Sequence, residues 1–142
     1  MQDFLAEVEP LDARDRVKRC VDLGVRARAD PDARAVVEAL ATSDPYARAL
    51  AVRTTYRSRD AALLRRLCAD PHATVRRTAQ AAAVRLRPDA DLPPLAALPA
   101  PDDRARMAAR LARHGRHAPI DAWLRAQPER SGPEVLALYA AT

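Results

Sequence analysis

Apolar residues recur along the chain at the three- and four-residue spacing of an amphipathic helix, and no segment shows the two-residue alternation of a strand. Leu63, Leu64 and Leu67 follow this spacing in one segment, and Val75 and Ala79 follow it in the next. Short polar or proline-containing links separate the segments. The pattern predicts an all-α protein with helices at about 2–8, 12–28, 31–42, 45–57, 60–69, 71–86, 94–98, 102–114, 119–126 and 133–141.

An Asp-Pro pair marks three of these helix starts, namely Asp30-Pro31, Asp44-Pro45 and Asp70-Pro71. An aspartate before the first helical residue accepts hydrogen bonds from backbone N–H groups that have no partner within the helix. Proline fits the first helical position, where its missing N–H costs nothing, and it disfavours helical geometry in the residue before it. The three pairs therefore predict that one helix ends and the next begins at each position.

A short motif, Ala/Val-Arg-x-x-Ala, follows the last two of these links and recurs once more, beginning at Ala47, Val75 and Ala105. Its spacing of 28 and 30 residues is nearly constant. Helices joined by short links pack as antiparallel hairpins. A single hairpin cannot bury its apolar stripe, whereas three or more stacked hairpins form a continuous core. The recurrence therefore predicts an internal repeat of helical hairpins.

Composition agrees with a helical fold of 142 residues in which aromatic residues are only 4%. Cys20 and Cys68 stand among apolar neighbours, where an unpaired cysteine behaves as a small apolar residue. Two cysteines are too few for a disulfide framework. With no signal-like or membrane-spanning apolar run, we expect a cytoplasmic location. A zinc site needs three or four convergent ligands at tight spacing, so we expect no metal, and we expect no cofactor.

Basic residues outnumber acidic ones by 24 to 19, which gives a formal net charge of +5, and Lys18 is the single lysine. The preference for arginine is typical of a GC-rich genome, and acidic residues are interleaved with the arginines. Two interpretations therefore stay open, a mixed-charge surface that faces water and a basic surface that binds an anionic partner.

The apolar segment ending in Leu67-Cys68-Ala69, the Asp70-Pro71 link and the motif Val75-Arg76-x-x-Ala79 together resemble HEAT-repeat proteins of the short HEAT-like or phycobilisome-lyase type. The resemblance implies a right-handed α-solenoid of about four to five antiparallel helical hairpins. The resemblance also implies that residues 1–142 form a single domain. The best-matched repeats are 30–58, 60–87 and 92–114, and the looser terminal units are 1–28 and 118–142. In that family an aspartate and an arginine brace neighbouring repeats, roles that Asp70 and Arg76 would fill, with Asp44 and Arg48 as the preceding copy.

The resemblance places the second helix of each hairpin on a concave face, which in such folds is a binding surface. Arginines at like positions of stacked repeats would form a ladder of positive charge on that face. The candidate basic surface comprises Arg48, Arg53, Arg57, Arg76, Arg77, Arg85, Arg106, Arg110 and Arg113.

These features favour a non-enzymatic scaffold that binds a protein partner through its concave face or its terminal helix, with self-association through 133–141 as one version. The alternative is a nucleic-acid-binding module that uses the arginine ladder. A third hypothesis is a HEAT-like enzyme, similar to a DNA glycosylase or a lyase, with Asp121 and Trp123 in its cleft. Against it, Ile120, Trp123 and Leu124 have the spacing of a core stripe, and no catalytic residue is assigned.

Overall fold

The structure, a computed structural model, describes residues 1–127 together with 132, 133 and 140. Eight α-helices and two 3-10 turns lie within 1–127, and the described residues contain no strand, which confirms the all-α prediction. The helices are α1 (Gln2–Val8), α2 (Ala13–Arg26), α3 (Pro31–Ala41), α4 (Pro45–Thr54), α5 (Ala61–Cys68), α6 (Ala73–Leu86), α7 (Pro101–Arg113) and α8 (Ala118–Arg125). The 3-10 turns are Asp89–Asp91 and Leu95–Ala97.

The predicted helices agree with these bounds to within a few residues, except in the proline-rich stretch before α7. The α-helix predicted at 94–98 is a single 3-10 turn, Leu95–Ala97. Prolines at 93, 94 and 99 flank it, and each removes a backbone donor that a longer helix needs. The predicted helix at 133–141 lies largely outside the described residues, and so does the self-association assigned to it.

Aspartate capping is confirmed at two of the three predicted positions. The Asp30 carboxylate accepts from the Asp32 N–H at 2.9 Å, and the Asp44 carboxylate accepts from the Ala47 N–H at 2.9 Å. Proline follows each cap as the first helical residue. Asp60, which carries no following proline, caps α5 in the same way.

Asp70 departs from the prediction, because α6 begins at Ala73 rather than at Pro71. The Asp70 carboxylate accepts from the N–H of His72, two residues on, at 2.8 Å. Both of its oxygens are also held by the guanidinium of Arg48. An aspartate bound to a distant arginine is oriented by tertiary contacts, so Pro71 and His72 form a bend before the helix starts.

The chain forms two compact units, Met1–Ala79 and Gln80–Thr142, whose boundary falls within α6. In the N-terminal unit, α2, α3 and α4 pack against one another and α5 packs on α4. In the C-terminal unit, the second 3-10 turn packs against α7 and α8. Fully buried leucines occupy the core of the N-terminal unit, and the core of the C-terminal unit includes Leu98, Met107 and Leu111.

Gly24 sets the distance between α2 and α4. A Cβ added at this residue would lie 1.9 Å from the carbonyl oxygen of Thr54. Only a residue without a side chain permits this approach, since backbone atoms cannot move aside as a flexible side chain can. The same close approach brings the ends of α2 and α4 together.

Candidate functional site

Five arginines hold the fold together in the same way, and we call them the clamp arginines: Arg16, Arg34, Arg48, Arg76 and Arg104. Each lies four residues after the residue that precedes its helix, and its backbone N–H donates to that residue's carbonyl. Each side chain reaches back to a carbonyl of the segment that ends the preceding helix or turn. Each of these carbonyls lies at the end of a helix or turn or within two residues after it, where backbone carbonyls have no helical partner, so the guanidinium supplies the missing donor.

Arg48 also forms a buried ion pair with Asp70. Its Nε lies 2.8 Å from one carboxylate oxygen, and its Nη2 lies 3.1 Å from the other. The Asp70 side chain is 4% exposed and that of Arg48 is 18% exposed. The pair joins the first turn of α4 to the link before α6, 22 residues further along the chain. It is a bidentate contact, the strongest geometry for arginine and carboxylate.

The clamp arginines change how the candidate basic surface is understood. Arg48 and Arg76 belong to it, yet their guanidinium groups are bound to carbonyls and, for Arg48, to Asp70. The clamps also correct the register of the third motif copy. Arg104, which binds the Leu98 carbonyl at 2.7 Å, is the counterpart of Arg48 and Arg76, at intervals of 28 and 28 residues.

The other candidate arginines of the N-terminal unit are less constrained. Arg53 is half-buried on α4, Arg57 is exposed in the turn after α4, and Arg77 is exposed on α6. Their side chains have no hydrogen-bond or ion-pair partner among the described residues. In the C-terminal unit, Arg85 is exposed at the end of α6 and takes part in an interaction within the protein.

Arg106, Arg110 and Arg113 form what we call the α7 cluster. At 100° per residue, their positions fall within an arc of about 60° on the helix. Arg106 pairs with the buried carboxylate of Asp103 at 3.3 Å, and the Nε of Arg113 donates to the Ala109 carbonyl at 3.3 Å. Three guanidinium groups therefore share one helix face, and one of them has a paired carboxylate.

Arg110 is the least compensated member of the α7 cluster. Its Nε is buried and has no hydrogen-bond partner among the described residues. Burial, together with the charges of Arg113 and Arg106, lowers the pKa of Arg110 from its usual value. An anion that accepts a hydrogen bond from this Nε would stabilise the charged guanidinium, which is partly desolvated and lies beside like charges.

A second basic site lies in the N-terminal unit, where the ends of α2 and α4 meet α3 and the α4–α5 link. We call it the basic pocket, a cavity of about 260 Å³ lined by three arginines, a serine and two carboxylates: Arg28, Arg34, Ser58, Arg59, Glu38 and Asp60. No sequence motif predicts the basic pocket. The polar run Ser58-Arg59-Asp60 between two apolar helices is the signal that was available.

The C-terminal unit contains an apolar groove of about 420 Å³, which we call the Trp123 groove. Pro93, Pro94 and Pro119 line it together with Trp123, which is buried at 6% exposure, as its core spacing predicts. Its one carboxylate, Asp89, is bound to the Nε of Arg116 at 2.7 Å. Asp121, the carboxylate that the glycosylase-like hypothesis needs, is exposed and does not line the groove.

Neither cysteine is placed for chemistry. Cys20 and Cys68 are fully buried and form no disulfide, which confirms the prediction of small apolar core residues. Burial raises the pKa of Cys20 to about 11, against the opposing charges of Arg53 and Arg16. Burial raises the pKa of Cys68 to about 12. Since the thiolate is the reactive form, both thiols are inert near neutral pH.

Within the described residues, no three His, Cys, Asp or Glu side chains are grouped so as to hold a metal ion. In the same part of the chain, no helix has the length and apolar character needed to cross a membrane. No family model, curated protein or solved structure matches the sequence.

Proposed function

We propose that the chain is a non-enzymatic helical-repeat module that binds the acidic segment of a protein partner through the α7 cluster. The observation that carries the proposal is the partly desolvated Arg110 between Arg106 and Arg113. In an isolated chain this arrangement is unfavourable. A carboxylate-bearing partner would relieve it, because the planar fork of a guanidinium matches the two oxygens of a carboxylate.

The HEAT-like architecture, with its right-handed α-solenoid of hairpins, is part of this proposal. Clamp arginines support it, since Arg48, Arg76 and Arg104 recur every 28 residues at the same position of their helices. The bond from Arg48 to Asp70 supports it as well, because it braces one predicted repeat against the next. The two buried cysteines form no disulfide, which favours a reducing compartment such as the cytoplasm.

A protein partner is favoured over nucleic acid by the distribution of the charges. Of the nine candidate arginines, Arg48 and Arg76 are bound between elements of the fold, so the ladder is interrupted. Arg106 and Arg113 each have one partner on α7 itself. Aromatic residues that would stack on unpaired bases are 4% of the chain, and the one tryptophan is buried. A single patch of three arginines suits a short acidic segment better than a long phosphate backbone.

The test measures binding of a fluorescein-labelled, glutamate-rich helical peptide by fluorescence anisotropy at 50 mM and 200 mM salt. The variant R106Q/R110Q/R113Q removes the α7 cluster. Its matched control, R14Q/R26Q/R65Q, removes three charges from exposed arginines elsewhere. We expect the cluster variant to weaken binding at least tenfold, which is about 1.4 kcal/mol. The control is expected to change it less than threefold.

Two results would contradict the proposal. Equal losses in both triple variants would mean that the peptide senses net charge alone. Tighter binding of a single-stranded oligonucleotide with the same number of charges, with a log–log salt slope near −2 for three contacts, would favour the nucleic-acid alternative. Far-ultraviolet circular dichroism of each variant establishes that it is folded before its binding is compared.

A further inference from the structure

The basic pocket of the N-terminal unit is assembled from three separate segments. Arg28 follows α2, Arg34 lies on α3, and Arg59 lies in the link between α4 and α5. Arg34 uses its Nε and Nη2 to bind the carbonyls of Ala27 and Arg28. The side chains of Arg28 and Arg59 have no partner among the described residues. The pocket therefore contains two guanidinium groups without a partner among the described residues, those of Arg28 and Arg59.

Two carboxylates also line the pocket, and both are already engaged. Glu38 pairs with Arg66 at 2.9 Å. Asp60 accepts from the Leu63 N–H at 2.9 Å as the cap of α5. Three cationic groups thus face two carboxylates, one of which is neutralised by a fourth arginine. The net charge of the groups that line the pocket is therefore positive.

Ser58 adds an uncharged hydrogen-bond donor to the basic pocket. It is 6% exposed and lines the pocket, yet its hydroxyl makes no hydrogen bond with any described residue. Its neighbours behave differently. The buried hydroxyls of Thr54 and Thr55 donate to carbonyls of their own helix at 2.8 and 2.6 Å. The Ser58 hydroxyl is therefore available to donate to a ligand in the pocket, whereas the two threonine hydroxyls are already bonded within their helix.

We propose that the basic pocket binds a phosphate monoester, whose phosphoryl oxygens accept from Ser58, Arg28 and Arg59. A cavity of about 260 Å³ lies just below the usual range for drug-sized ligands, which suits a phosphoryl group with a small substituent. Guanidinium groups bind such oxygens through parallel charge-assisted hydrogen bonds. This site lies on helices other than α7, so it stands or fails independently of the acidic-segment proposal.

Isothermal titration with inorganic phosphate, O-phosphoserine and a short phosphoserine peptide, each at constant ionic strength, tests this proposal. We expect R59Q to weaken phosphate binding at least tenfold and S58A to weaken it severalfold. R57Q is the matched control, because Arg57 is an exposed arginine two residues away that does not line the pocket. It is expected to stay within twofold of the wild type.

The three probes also distinguish the source of the phosphoryl group. Tightest binding of the peptide would identify a phosphorylated partner, and tightest binding of free O-phosphoserine or phosphate would identify a small metabolite. The proposal is overturned if wild type and R59Q bind phosphate equally, or if no probe binds. S58A is expected to fold normally, since it removes a hydroxyl without a partner, and an unchanged thermal midpoint establishes this.

Discussion

Burial should give the Arg48–Asp70 ion pair a much larger coupling free energy than an exposed pair with the same N–O distance. The perturbations are R48M and D70N, alone and together. R48M leaves the Asp70 carboxylate, 4% exposed, with the His72 N–H as its one remaining donor among the contacts described above. D70N keeps an acceptor for His72 but removes the charge that Arg48 faces. Each single change therefore leaves a desolvated group partly unpaired.

Breaking a buried pair by removing one partner costs about 3–5 kcal/mol. Arg48 keeps some contact with water, at 18% exposure, which weakens the pair, so we expect the lower end of that range for R48M. D70N should cost about 2 kcal/mol, because the amide still accepts from His72. In the double variant the two losses overlap, and we expect a coupling free energy of about 2 kcal/mol.

The structure offers a matched reference in Arg66 and Glu38. Their N–O distance is 2.9 Å, close to the 2.8 Å of the buried pair, but the side chains are 53% and 52% exposed. Exposed pairs contribute about 0–1 kcal/mol, so the R66M/E38Q cycle should give a coupling below about 0.5 kcal/mol.

Urea unfolding provides the free energies by linear extrapolation. Because the chain has two units, circular dichroism at 222 nm is recorded together with the fluorescence of Trp123, the single tryptophan, which reports on the C-terminal unit. Equal coupling energies in the two cycles would refute the argument that burial, rather than distance, decides the strength of the pair.

Three further predictions concern packing, the clamps and the thiols. G24A should lower the free energy of unfolding by about 1–3 kcal/mol in thermal melts, because the added Cβ would clash with the Thr54 carbonyl. This is expected even though alanine favours helices over glycine by about 1 kcal/mol. A stabilised variant would contradict the close approach. R104K should cost about 1 kcal/mol in the same assay, since lysine lacks the fork that reaches the Leu98 carbonyl, whereas R113K should change little. Stability should fall as pH rises from about 9 towards 11, because the thiols of the unfolded chain release protons before the buried thiols of Cys20 and Cys68 do. The C20A/C68A variant should lose this part of the pH dependence. If the variant and the wild type have the same pH profile, burial does not perturb the thiols.

The helices were predictable because their signals are local. Asp30 and Asp44 cap helices through neighbouring N–H groups, and prolines at 31 and 45 fix the first turn, so a few adjacent residues determine each boundary. The prediction for Asp70 was wrong at the helix start for the opposite reason. Its carboxylate is bound by Arg48, 22 residues earlier in the chain. The resemblance to HEAT-like repeats assigned both residues a bracing role, but helix-start signals, which are local, do not include such a contact.

The candidate sites were predictable only in part. Helical spacing places Arg106, Arg110 and Arg113 on one face of α7, and the sequence reveals this directly. It does not reveal that Arg110 is partly desolvated, or that Arg48 and Arg76 are bound to carbonyls, since burial and hydrogen bonding depend on neighbouring elements. The basic pocket was missed altogether, because Arg28, Arg34 and Arg59 belong to three segments that share no motif.

The sequence by itself determined the helical class, most helix bounds and the apolar character of the two cysteines, because each follows from spacing and from neighbours within one turn. Tertiary structure decided which arginines are part of the fold and which are left to bind a ligand. The physical reason is that all of them carry the same charge and similar helix propensity, so they differ only in what lies within reach of the guanidinium. For the clamp arginines that is a helix end, for Arg110 it is two like charges, and for Arg59 it is a pocket.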